Sequence, residues 1–427
     1  MTKNMGKDGV GEAAVQRARG VRKGRSLPDT KAENLSVVLA ALRQLQPISR
    51  SGLAGATGLT AATITHMADT LQEFDLLVEV PAGTRQVGRR PSLLSLNTGR
   101  GQLVGLEVSR SYVRAIRTNF AGEILAVAEQ AFTPKMPIQA DLDVLRSVIR
   151  FVLDPGLPLL GIGVGVPGPV DSAAGVVLEP PNFGGWRNVP LTDLLSATFG
   201  APCWLDDDAK AAALGERWYG AGRQAETLLY ISLRSGVGAG LIVGERVYRG
   251  AHELAGEIGH TTIQVDGPLC ACGNRGCVET LVSVPAILAE ARRVGLTARN
   301  IGDLHLQAEA GDALARSVKE RTYVYLAATL VNAVNHYDPA LIVLGGSLVR
   351  AWPDLTSAVA HKVKGRSFGF LSKDVRIVQS LLGENVTALG AAALAIDHIL
   401  RSPTRLLAEL NTRPTTNLET ARSEAQV

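Results

Sequence analysis

The sequence predicts an α/β protein in two parts, a winged helix-turn-helix followed by a larger body of alternating strands and helices. Three observations predict it. Near the N-terminus, apolar residues recur at helical spacing in three short segments, and two short strands follow. From Gly101 onward, glycine-punctuated apolar strands alternate with longer helical patterns. Three of the four cysteines fall close together, as Cys270, Cys272 and Cys277, just downstream of Gly256-Glu257-Ile258-Gly259-His260.

Length and composition bound the answer. The chain has 427 residues, 46% hydrophobic and 20% charged, which fits two or three globular domains. Four cysteines, three of them clustered, do not resemble a disulfide framework, so a reducing cytoplasm is expected. No apolar run reaches the roughly 18 residues of a membrane span, and no apolar stretch follows the basic N-terminus as in a secretory signal. Residues 1–100 carry 14 Lys and Arg against 8 Asp and Glu, whereas the rest has two more acidic than basic residues. A basic front end on a near-neutral body puts the polyanion partner, if there is one, at the front.

The elements divide the chain as follows. Residues 1–31 are rich in Gly, Lys and Arg without apolar periodicity, and read as a disordered basic arm. Residues 32–98 form the winged unit. Leu35, Val38, Leu39, Leu42 and Leu45 mark a helix over Asn34–Leu45. A second helix, from about Ser49 to Thr57, turns Ile48, Leu53 and Ala56 inward, and Gly58 ends it. Thr60 then caps a third helix reaching about Phe74, with Ile64, Met67 and Leu71 as its buried stripe. Its other face offers Ala61, Ala62, Thr63, Thr65 and His66 to a DNA major groove. A plain helical hairpin has the same spacing. The strands Leu76–Val80 and Leu93–Leu96 flank Gly88-Arg89-Arg90-Pro91, a wing whose Arg89 and Arg90 suit a narrow minor groove.

Residues 99–402 form the body, and 403–427 a loose polar tail. Strands are expected at Leu103–Val108, Val113–Thr118, Leu160–Val166, Leu228–Ser232, Gly240–Val243, Leu341–Leu344 and Val375–Val378. Helices are expected near Asp141–Val152, Ala209–Tyr219, Val284–Val294, Glu320–His336 and Ala388–Leu400. Gly161 to Pro169, Ser235 to Gly240 and Gly345-Gly346 read as glycine-rich turns, with Gly390 opening the last helix.

The cysteine cluster carries the most chemistry. His260 with Cys270, Cys272 and Cys277 offers one imidazole and three thiolates, a full tetrahedral set for structural zinc. Glu257 and Glu279 flank it. The run Asp206-Asp207-Asp208 precedes a helix and by itself reads as a solvated acidic turn.

These stretches together resemble the ROK family: repressors, open reading frames and kinases on a two-lobed actin-like sugar-kinase fold. The likeness rests on Val166-Pro167-Gly168-Pro169-Val170-Asp171, Pro181-Asn182-Phe183-Gly184-Gly185-Trp186, Asp207 through Glu216, and Ala255 through Glu279. The winged N-terminus is similar to that of the family's repressors. The resemblance implies that His260, Cys270, Cys272 and Cys277 hold zinc, and that Asn182, Asp207, Asp208, Glu257, His260 and Glu279 line a sugar pocket. It implies that Asp208 stands at the catalytic base of the kinases, accepting the proton of the attacking hydroxyl. Two departures argue against catalysis. Glu107-Val108-Ser109-Arg110-Ser111 stands where the kinases have Asp-x-Gly-Gly-Thr, and Arg234-Ser235-Gly236 where they have Gly-Thr-Gly. Side chains there crowd the approach of phosphates to backbone. Asp207 and Lys210 also replace residues usual in the family; Asp207 stands for an asparagine, so an acceptor-only group replaces an amide. The implied protein is a sugar-responsive repressor, binding operator DNA as a homodimer or homotetramer with a sugar or sugar phosphate as effector. The alternative is a hexose or amino-sugar kinase.

Overall fold

The computed structural model describes residues 27–81, 92–134, 137–181, 183–366, 368 and 375–403. They fall into two compact units, one of the described residues up to Ser95 together with 400–403, the other spanning Leu96–Ile399. Within the expected basic arm, residues 1–26 lie outside the described residues, as do residues 404–427 of the tail.

The first unit begins with α1 (Leu27–Leu45), which starts earlier than the expected Asn34. Leu35, Val38, Leu39 and Leu42 are buried, and Leu45 is exposed. Next come α2 (Arg50–Thr57) and α3 (Ala61–Glu73). Ser49 Oγ accepts the Gly52 N–H at 3.0 Å, and Thr60 Oγ1 accepts the Thr63 N–H at 3.2 Å, so both helices start at side-chain caps. Gly58 ends α2 at φ 71°, the left-handed conformation favoured at that position. Ile64, Met67 and Leu71 are buried at i, i+3 and i+7 of α3. Leu53 is buried as expected, but Ala56 faces solvent because α2 is short and only one side is covered. Strands β1 (Leu77–Pro81) and β2 (Ser92–Leu96) pair in a two-stranded sheet. Arg89 and Arg90, between them, lie outside the described residues.

The second unit is built twice on one plan. Strands β3 (Gln102–Val108), β4 (Tyr112–Thr118) and β5 (Ile124–Ala131) form an antiparallel meander. Helix α4 (Ile138–Val152) follows, then β6 (Leu159–Val166), and the small hairpin β7 (Val170–Asp171) and β8 (Val176–Val177). Helix α5 (Leu191–Phe199), β9 (Cys203–Asp207) and α6 (Asp208–Tyr219) complete the first lobe. Its sheet order is β5-β4-β3-β6-β9.

The second lobe repeats the plan with β10 (Thr227–Leu233), β11 (Val237–Val243) and β12 (Arg246–Val247). Helices α7 (Glu279–Val282), α8 (Val284–Arg293), α9 (Ile301–Glu309) and α10 (Ala313–Tyr337) lead to β13 (Leu341–Gly345). Helices α11 (Ser347–Ala351) and α12 (Leu355–Val363), β14 (Arg376–Gln379) and α13 (Val386–Arg401) follow. The order β12-β11-β10-β13-β14 matches the first sheet position by position.

Each lobe's closing helix lies against the other lobe. Helix α13 presses on β3 and β6: a Cβ on Gly105 would lie 1.9 Å from Ala388 O, and one on Gly163 would lie 1.7 Å from Ala391 O. Helix α6 presses on β11, where a Cβ on Gly240 would meet Ala209 O at 2.6 Å. The two helices touch backbone to backbone, with Gly215 3.0 Å from Gly390 N by the same measure. The glycines at 161, 163 and 165 therefore belong to strand β6 rather than to a turn. Strand side chains alternate, so these three share the face under α13, while Ile162, Val164 and Val166 fill the opposite core. Likewise Val237–Gly240 is strand, not turn, and Gly390 sits inside α13 rather than opening it, because the helix crossing needs it.

These contacts are with backbone, which cannot move aside. We expect Gly163→Ala to lower stability by about 3 kcal/mol or more, whereas Gly184→Ala, with nothing near its Cβ position, leaves the melting temperature unchanged. Thermal denaturation of the two variants checks this.

Candidate functional site

A cleft of about 390 Å³ runs between the lobes, within the size range of small-ligand pockets. The β3–β4 turn contributes Ser109 and Arg110, and the β9–α6 junction contributes Asp207 and Asp208. From the second lobe come Arg234, Ser235 and Gly236 of the β10–β11 turn, with Glu257, His260, Cys272 and Glu279. Of the six residues assigned to sugar, five meet here. Asn182 lies outside the described residues. A hollow of similar size between α7, α8 and α10 is less reactive, since its Glu290 is already bonded to Arg293 and Arg321.

The second lobe's wall is a knuckle. Ile258–His260 makes one turn of 3-10 helix, and the chain then doubles back through bridges Thr262–Cys277 and Leu269–Arg275. Gly276 has φ 64°, and a Cβ there would lie 1.6 Å from Gln264 O, so only glycine lets the strands of the knuckle close. The closure gathers His260, Cys270, Cys272 and Cys277, whose ligand atoms all lie within 4.8 Å of one another. Cys272 Sγ is 3.8 Å from Cys277 Sγ, and Cys270 Sγ is 3.6 Å from His260 Nδ1; all three thiols are free. A tetrahedral metal with bonds near 2.3 Å to sulfur has edges of about 3.8 Å, so the set fits a metal ion. His260 turns Nδ1 to the thiols and Nε2 toward Glu257, 3.9 Å from its Oε2. The same ring therefore serves the metal site and the cleft.

Carboxyl groups crowd the middle. Asp207 caps α6, accepting the Ala209 N–H at 3.0 Å and the Lys210 N–H at 3.3 Å, and its other oxygen accepts the Gly168 N–H at 3.1 Å. Removal from water, and the Asp208 carboxyl beside it, push Asp207 up to about 8, against the pull of Lys210. Asp208, first residue of α6, is raised chiefly by desolvation, with Arg234 and Arg110 pulling it back. Glu257 is raised by burial, opposed by His260. Glu279 starts α7, and its Oε2 accepts the Val237 N–H at 2.9 Å, which ties the knuckle to β11. The acidic run thus ends a strand inside the cleft and is no solvated turn.

The base of the cleft is closed by charge. Arg234 of the second lobe pairs with Glu107 at the end of β3, whose side chain is only 1% exposed. Tyr112 Oη donates to Glu107 Oε1 at 2.9 Å and accepts from Arg234 Nη1 at 3.0 Å. Arg234 Nη2 reaches Thr387 Oγ1 at 3.3 Å. On the other rim, Arg249 grips Asp206 with two bonds of 2.7 Å, and Glu253 accepts from the Ser172 N–H at 2.8 Å and Oγ at 2.7 Å. Lys210 Nζ is held by Glu253 O. From the sequence, Glu107 and Arg234 are visible only as altered turn residues. Their partnership spans 127 positions and leaves no local pattern.

Arg234→Met leaves Glu107 buried and unpaired, and should cost about 3–5 kcal/mol. Adding Glu107→Gln should restore much of that loss. Denaturant unfolding of the two single variants and the double variant measures the coupling.

Comparison with known proteins follows the same lines. The sequence model of the ROK family matches residues 103–398. The xylose repressor of Bacillus subtilis is 30% identical over 87% of this chain and 96% of its own. A solved ROK family transcriptional regulator, a homolog of the E. coli MLC protein, superposes with a TM-score of 0.76 at 27% identity, covering 89% of this chain and 98% of that one. A ROK family glucokinase from Streptomyces griseus, solved with glucose and AMPPNP, has a TM-score of 0.61 at 26% identity, covering 69% of this chain and 99% of its own. The match to the xylose repressor is longer than residues 103–427 can supply, so it takes in part of the N-terminal unit.

Proposed function

This chain belongs to the ROK family, and on that premise we propose that it is a sugar-responsive transcriptional repressor. The observation that carries the reading is the Glu107–Arg234 pair. It joins the two positions that the family resemblance sets at the kinases' phosphate turns, while Glu257, His260 and Glu279 line the cleft. A protein so built binds a sugar and does not phosphorylate it. Asp208 keeps the position of a base and favours the kinase alternative, but no phosphate turn remains opposite it.

In this reading the first unit is the winged helix-turn-helix. Ala61, Ala62, Thr63, Thr65 and His66 lie on the uncovered side of α3, and all but the half-buried Thr63 are exposed. They read base edges in the major groove, and Arg89 and Arg90 enter the minor groove. Operator half-sites call for a homodimer or homotetramer, and the protein works in the cytoplasm. Sugar or sugar phosphate binds between the lobes, bridging Asp207 and Asp208 on one side and Glu257, His260 and Glu279 on the other, with Asn182 also reaching it. Ligand that binds one arrangement of the lobes better shifts the population toward it, and coupling of roughly 1–3 kcal/mol changes operator affinity about 5–150-fold. Zinc on His260, Cys270, Cys272 and Cys277 is structural: it fixes the His260 ring so that Nε2 stays on the sugar side.

Two measurements test these assignments. Replacing Thr63 and His66 together by Glu should weaken binding to selected duplex DNA at least about tenfold and leave ligand-induced thermal shifts intact; unchanged DNA affinity in fluorescence anisotropy refutes the interface, and steady ADP release with hexoses refutes the repressor. Cys272→Ser should lower zinc well below one per chain by atomic absorption and abolish the ligand response.

A further inference from the structure

We propose that the cleft has an anion-recognising end centred on Arg110, and that the effector is a phosphorylated sugar. The proposal rests on the repressor reading above and narrows its ligand. Four cations line or border the cleft, and three are already engaged, Arg249 with Asp206 among them. Arg234 is bonded to Glu107, Tyr112 and Thr387, and Lys210 to the Glu253 carbonyl. Arg110 has no hydrogen bond or ion pair among the described residues.

Its place is specific. Arg110 leaves the β3–β4 turn of the first lobe and extends to the β10–β11 turn of the second, where a Cβ on Gly236 would lie 3.8 Å from Nη1. Ser109 and Ser235, one on each turn, line the same end of the cleft and carry hydroxyl donors. A guanidinium presents five N–H donors in a planar fork and cannot shed its charge. Half-buried without a carboxylate, it lacks the partner that fork fits best, a tetrahedral or planar oxyanion held by two parallel bonds. A hydroxyl of a neutral sugar satisfies one donor and leaves the charge uncompensated.

The acidic groups of the cleft are compatible with an anion here. Glu279 already accepts the Val237 N–H, and Asp207 accepts three backbone N–H groups of the first lobe. Asp208 is raised by desolvation against the pull of Arg234 and Arg110, so it carries a proton more readily than a solvated aspartate and then donates rather than repels. The sugar ring would lie against Glu257, His260 and Glu279, and its phosphoryl group against Arg110, so the ligand spans both lobes.

Calorimetric titration of the zinc-loaded full chain with matched pairs decides the matter: glucose against glucose 6-phosphate, N-acetylglucosamine against its 6-phosphate, and inorganic phosphate alone. At least one phosphorylated sugar should bind about tenfold or more tightly than its parent. Arg110→Gln should erase that preference without weakening the parent sugar, and Arg110→Lys should keep part of it. A neutral sugar that binds as tightly as its phosphate, or a preference that survives in Arg110→Gln, overturns the proposal and leaves the repressor reading standing. Binding by inorganic phosphate alone, unaffected by the same variant, also overturns it. If no sugar of either kind binds while DNA binding persists, the sugar-effector reading falls and the proposal falls with it.

Discussion

The ion pair between Glu107 and Arg234 holds the floor of the cleft, and the arrangement of both lobes depends on it. Glu107 is the penultimate residue of β3 and Arg234 follows the last residue of β10, so the contact joins equivalent ends of the two meanders. Removing two charges from water is expensive, and attraction offsets the cost only when other donors and acceptors complete the set. Tyr112 and Thr387 supply that completion in part; Glu107 Oε2 and Arg234 Nε stay buried without a partner among the described residues. The pair thus holds the lobes in register at some cost in stability.

The opposite wall is organised by the knuckle rather than by a hydrophobic core. Few apolar side chains are buried between Ile258 and Cys277, and Val265 and Leu269 are exposed. The thiols and the imidazole gather where packing would otherwise be, with Cys270 Sγ 3.6 Å from His260 Nδ1. Glu279 carries that order one step further, because its bond to the Val237 N–H fixes where the strand beside the cleft begins.

Much of this was legible in the sequence wherever the signal is local. Ser49 and Thr60 sit at helix starts, the stripe of Ile64, Met67 and Leu71 has helical period, and the cysteine spacing is short enough to chelate. The parts that were missed share a physical cause. Strand β5 is an edge strand with Ile124, Leu125 and Val127 exposed, so it has no apolar alternation to read. Strand β9 ends in two aspartates and hands on to Asp208 of α6, which puts Asp207 and Asp208 in the cleft, so its composition mimics a turn. The glycines of β6 and β11 mimic loops because the pressing helices leave no room for a Cβ. Most hidden was the chemistry at Arg110 and Arg234, since a side chain's partner across a cleft is not written near it.

The crossing of α6 and α13 has a mechanical consequence. At Gly215 and Gly390 the helices meet through backbone alone, with no side chain between them. Interlocked side chains have to change rotamer for one helix to turn on another, and that gives packed surfaces two or three discrete positions. A bare backbone contact has no such teeth. The two ion pairs that join the lobes, Glu107–Arg234 at the floor of the cleft and Arg249–Asp206 at its rim, are made by other residues. The steric contact and the electrostatic ones are therefore set by different residues and can be adjusted independently.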